Sequence, residues 1–143
     1  MKITNEFKTR TIEFIKLESF KEHFPSHKVE IRVETENIKT SFNNNTWLNE
    51  ADIEQFLIAL TDLDKYRTGR ATLGALTPDE LELTFQPIDN SGHLSVALHF
   101  IKEDRIEKDY SYEIKVEFQI DPTCLPTVRN DFLAFIKNSD EIL

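Results

Sequence analysis

Hydrophobic and polar residues alternate with a period of two through three stretches between Glu80 and Ile120. Leu81, Leu83 and Phe85 alternate with Glu82 and Thr84. Leu94, Val96, Leu98 and Phe100 alternate with Ser95, Ala97 and His99. Tyr110, Tyr112, Ile114, Val116, Phe118 and Ile120 alternate with Ser111, Glu113, Lys115, Glu117 and Gln119. Successive strand side chains point to opposite faces, so each stretch predicts a strand with one face buried and one wet. The polar segments 87–92 and 102–109 read as turns, which makes the three strands an antiparallel meander.

The N-terminal part is less regular. Ile12 and Phe14 share a phase, whereas Ile15 and Leu17 fall on the other. Such a slip predicts a bulge or a strand covered on both faces at one end. Phe24-Pro25-Ser26 breaks the chain. Val29, Ile31 and Val33 then alternate with charged residues as a clean strand, and residues 38–42 predict a short third one. Asn43-Asn44-Asn45 reads as a loop.

The period changes after Thr46. Ile53, Phe56, Leu57, Leu60 and Leu63 follow the spacing of a helical stripe. Thr46 or Asn49 is the expected cap, with Asp52 three residues after Asn49. Trp47 and Leu48 are expected to pack where the helix begins. The helix should end near Tyr66, ahead of Gly69. Residues 68–74 hold two glycines but neither phosphate-loop spacing, so they predict a connection and a short edge strand. Asp121 and Pro122 signal a tight turn over residues 122–125. A second helix from Pro126 follows, striped by Leu125, Val128, Phe132, Leu133, Phe135 and Ile136, and fraying at 138–140. The expected fold class is α+β in a single domain, 1–143. It has one antiparallel, strongly twisted sheet of about five to six strands, with two amphipathic helices on its apolar face, in the order β-β-β-α-β-β-β-α.

Composition narrows the function classes. A chain of 143 residues buries roughly 70% of the surface its unfolded form exposes, so a core without staples is expected, with the eleven Phe supplying much of it. The single Cys rules out an intramolecular disulfide and suits a reducing compartment. With no apolar leader and no apolar run near 18 residues, neither a signal peptide nor a membrane span is expected, and the cytoplasm is the expected setting. The net charge of −9 is uneven: residues 1–47 carry +1, residues 48–90 carry −6 and residues 91–143 carry −4. An acidic middle disfavours nucleic acid and would steer a basic protein partner.

Motifs for chemistry are sparse. His93 and His99 lie six apart on one predicted strand and share its wet face, about 20 Å apart and too far to share a metal. His23 and His27 have helical ligand spacing, but Phe24-Pro25 prevents a helix there. Neither pair predicts a metal site, and no cofactor motif is present. Cys124 lies near a helix start, where a thiolate gains stability, but its neighbour Leu125 suits a buried small hydrophobe better.

A set of landmarks runs along most of the chain: Trp47 before a helix bearing Phe56, Leu60 and Leu63; Gly69-Arg70-Ala71; Glu80-Leu81-Glu82-Leu83; Gly92-His93-Leu94-Ser95-Val96; and Phe118-Gln119-Ile120-Asp121 with Leu125-Pro126 before a final helix. This resembles the WapI-type immunity proteins, from about Lys8 onward. The resemblance implies a non-enzymatic protein that binds and neutralises the toxic domain of a bacterial toxin, often a nuclease, with no catalytic residues to carry over. The expected partner-binding residues are Glu50, Glu54, Asp62 and Asp64 on the first helix, with Tyr66 near its end. The rival expectation is a small-molecule-binding domain or minor enzyme using the wet sheet face near His93 and His99. A third is self-association through an exposed edge strand, so the chain is expected to be a monomer or a homodimer.

Overall fold

The alternating stretches become strands, but they pair in two sheets instead of one. The computed structural model describes residues 1–103, 106 and 110–137. The first sheet has the order β1-β2-β3-β4, with β1 (Lys2–Thr4), β2 (Thr11–Phe20), β3 (Ser26–Glu34) and β4 (Lys39–Asn49). Helix α1 (Glu50–Tyr66) leads to the second sheet, ordered β5-β6-β7-β8, with β5 (Ala71–Gly74), β6 (Leu81–Pro87), β7 (Leu94–Glu103) and β8 (Ser111–Ile120). A 3-10 turn (Pro122–Cys124) and α2 (Leu125–Lys137) follow.

The α+β class and both helices are as expected; the single sheet of five to six strands is corrected to two sheets, each of four strands among the described residues. Hairpin alternation specifies which face of a strand is apolar and which neighbour it meets next. It does not specify whether distant strands share a ladder. Here α1, 17 residues long and so about 25 Å, carries the chain from the last strand of one sheet to the first edge of the other. Between the sheets, the Leu76 amide donates to the Trp47 carbonyl at 2.9 Å, and the Thr46 hydroxyl donates to the buried Glu80 carboxylate at 2.9 Å.

Local irregularities have local causes. The phase slip in β2 is a register shift between Lys16 and Glu18 opposite β3. A second shift corrects the loop expected at Asn43-Asn44-Asn45. Strand β4 runs straight through these residues: Ile31 pairs with Phe42 and Val29 with Thr46, so β4 carries extra residues as a bulge. Asn45 takes a positive φ of 59° there, a conformation Asn tolerates better than most residues. Ile38, expected in that strand, sits in the preceding turn and is exposed. The described part of segment 102–109 ends β7 at Glu103, and residues 104, 105 and 107–109 lie outside the described residues, as do 138–140.

The inner faces of both sheets and one side of each helix form a single apolar cluster. Eight of the eleven Phe are in it; Phe7, Phe20 and Phe24 are exposed. Phe132 of α2 is its junction, with its ring centre 6.1 Å from Phe14 of β2 and 5.3 Å from Phe56 of α1. Phe42 meets Phe100 across the two sheets at 4.3 Å. Leu133, expected in the α2 stripe, is partly exposed.

Candidate protein-binding surface

Helix α1 starts where the sequence places it. Asn49 caps it, its side chain accepting from the Ala51 amide, and Glu50 and Asp52 place negative charge in the first turn, where the helix dipole favours it. Ile53, Phe56, Leu57, Leu60 and Leu63 are buried against β4, β5 and α2. At 100° per residue their directions centre on one side, which turns Glu54, Ile58, Asp62 and Tyr66 outward at successive four-residue steps. These four make a ridge about 18 Å long. The helix ends at Arg67 in the left-handed region, its amide donating to the Leu63 carbonyl.

The five residues expected to bind a partner divide into two groups. Glu54, Asp62 and Tyr66 lie on the exposed ridge. Glu50 and Asp64 lie on the flanks and serve the protein's own structure. Asp64 accepts from Arg67 at 3.4 Å, and the same guanidinium donates through Nε to the Asp64 carbonyl at 2.9 Å. Glu50 reaches inward to His27, with Oε2 3.2 Å from Nε2.

His27 is fully buried. Its Nδ1 lies 2.9 Å from the Ser19 hydroxyl, and its ring meets Phe135 edge-on at 5.8 Å. Desolvation pushes its pKa below 6.5, opposed by the hydrogen bond and charge of Glu50 and aided by Lys16 and Lys21. A neutral ring that accepts from Ser19 and donates to Glu50 satisfies both nitrogens. No local sequence signal marks this role for His27, because it arises only where β2, β3 and the start of α1 converge.

Two features of the ridge were missed. Ile58 is 57% exposed at its centre; the signal was an apolar residue lying off the buried stripe. Lys65 places its ammonium 5.2 Å from the centre of the Tyr66 ring, so the C-terminal end of the ridge is less acidic than its start.

The histidines of the rival expectation separate. His99 stands on the outer face of the second sheet, between Glu82 and Lys115 in register, and bonds Glu113. His93 precedes β7 and pairs with Asp89 at 2.7 Å, which holds the Asp89 carboxyl below its usual value. His93 also borders an open groove of about 550 Å³, with Phe7, Arg10, Glu36, Asp121 and Pro122 in its wall. Arg10 and Glu36 already bind each other there. Burial raises the Cys124 thiol to about 11, which suits a half-buried apolar neighbour and not a nucleophile. Among the described residues no group of three or more His, Cys, Asp or Glu is placed to hold a metal ion, and no helix is long and apolar enough to cross a membrane.

The family model for the WapI-like immunity proteins matches residues 6–139. The chain belongs to that family. No curated protein and no solved structure matches it. Membership makes this an immunity-type protein, and the partner that goes with such a protein is a toxin.

Proposed function

We propose that this protein is a non-enzymatic inhibitor that binds one toxin domain through the exposed ridge of α1. The observation that carries this reading is the pairing of two exposed apolar anchors, Ile58 at 57% and Tyr66 at 60% exposure, with the carboxylates of Glu54 and Asp62. Apolar anchors supply most of the energy at protein interfaces, and surrounding charge supplies rate and selectivity. The segment 48–90 carries −6, which favours a basic partner face such as that of a nuclease. Glu50 and Asp64 support the helix from its flanks. The proposed setting is the cytoplasm, where a single thiol stays reduced.

The test uses purified candidate toxin domains from the same host, screened first for binding to this protein. Surface plasmon resonance kinetics and growth protection are compared for wild type, Glu54→Lys with Asp62→Lys, and Ile58→Ala with Tyr66→Ala. Binding should weaken with salt, the charge reversals should slow association, and loss of the anchors should speed dissociation. Full protection by both double variants would place the interface elsewhere. The groove beside His93 supports the small-molecule reading instead; that reading gains weight only if the toxin domain does not bind at all.

A further inference from the structure

Among the described residues, strand β8 is a ten-residue edge. Long edges are open templates for another strand unless something blunts them. Its inner face is also incompletely covered. Phe118 and Ile120 are buried, but Ile114 and Val116 are only half-buried, and Tyr112 is 39% exposed where it stacks between Phe100 and Tyr110. We propose that β8 pairs antiparallel with β8 of a second copy of this chain, about a two-fold axis at Val116, joining the two four-stranded sheets into one of eight.

Symmetry and charge select that register. A two-fold axis perpendicular to the sheet keeps the inner face of both copies on the same side. Residues that meet across the seam must therefore both be odd-numbered or both even-numbered. An axis at Lys115 would set Lys115 against itself and Glu113 against Glu117. An axis at Glu117 would set that carboxylate against itself. An axis at Val116 places Lys115 of each copy opposite Glu117 of the other, twice over. Opposite charges facing each other on a sheet stabilise it and like charges destabilise it. On the inner side the same register brings Ile114 against Phe118 and Tyr112 against Ile120, where Ile114 and Tyr112 gain cover. An axis at Ile114 would also match charges, Glu113 with Lys115. It pairs only seven residues of β8 per copy instead of nine, and Glu113 is already bound to His99. The opposite edge of this sheet is β5, which packs against α1, so the pairing leaves the exposed α1 ridge open in both copies and goes beyond the toxin-binding reading.

The experiment is sedimentation velocity on the full chain and on Lys115→Glu and Glu117→Lys, both exposed positions, with far-UV circular dichroism to verify the fold. Wild type should dimerise. Each single variant should dimerise about tenfold or more weakly, because two attractive pairs become repulsive. An equimolar mixture of the two variants should recover the dimer, since one copy then carries two acids where the other carries two lysines. A wild-type monomer at the highest soluble concentration overturns the proposal, as does a mixture that stays monomeric. A Glu117→Lys variant that dimerises like wild type overturns the register.

Discussion

Replacing Glu50 by Ala should cost far more than replacing its helix neighbours Glu54 or Asp62, although all three are acids on one helix. Glu50 Oε2 is the acceptor for Nε2 of His27, whose side chain is completely buried. Without it, a buried N–H has no partner, which costs about 1–3 kcal/mol. The lost first-turn charge adds a few tenths. Glu54 and Asp62 are exposed, so Ala there should change stability by no more than about 0.5 kcal/mol. The pH dependence gives a second readout. The folded pKa of His27 is depressed below its ordinary 6.5, so the unfolded chain binds the proton more readily. The contribution of neutral His27 is therefore complete above about pH 6.5 and is lost as pH falls below it. At pH 5.5 the loss is at most about 1.4 kcal/mol, the limit for a ring that stays neutral when folded. In Glu50→Ala the two influences that raise the His27 pKa vanish, so its acid loss should lie closer to that limit than the wild type's. Urea unfolding at pH 8 and pH 5.5 measures both quantities. If Glu50→Ala matches Glu54→Ala at both pH values, the inward role of Glu50 is wrong.

Phe132→Ala should destabilise by about 3–5 kcal/mol in urea melts, because Phe132 is fully buried at the junction of β2, α1 and α2. Glu80→Ala should cost about 1.5–3 kcal/mol, since its buried carboxylate accepts from Thr46 and lies 3.6 Å from the Lys102 ammonium, tying β4 to β7; a calorimetric melt checks this. Cys124, raised to about 11, should be only about one part in a thousand thiolate at pH 8. Its alkylation by iodoacetamide should therefore be slow in the native protein and rapid in urea.

Much of the fold was legible because its signals are local. The meander of β6, β7 and β8, the α1 stripe, the Asn49 cap and the slip in β2 each follow from residues a few positions apart. The loop expected at Asn43-Asn44-Asn45 failed because Asn runs favour turns, yet the pairing of β3 with β4 on both sides of the bulge held the chain extended. The acids proposed for binding were chosen by type and helix position, which cannot separate Glu54 from Glu50. One faces water. The other faces a histidine 23 residues earlier in the chain.

Alternation and helical period by themselves determined the class, the kinds of element and most of the buried residues, because side-chain direction repeats with backbone geometry. Composition determined an acidic chain with no possible internal disulfide. Only the tertiary structure decided that the strands form two sheets, that Thr46 and Glu80 bridge them and that His27 is buried against Glu50. It also decided that Ile58 stands exposed among carboxylates and that β8 is an edge. Each of these depends on which distant segments meet, and a residue's own neighbours in sequence carry no record of that.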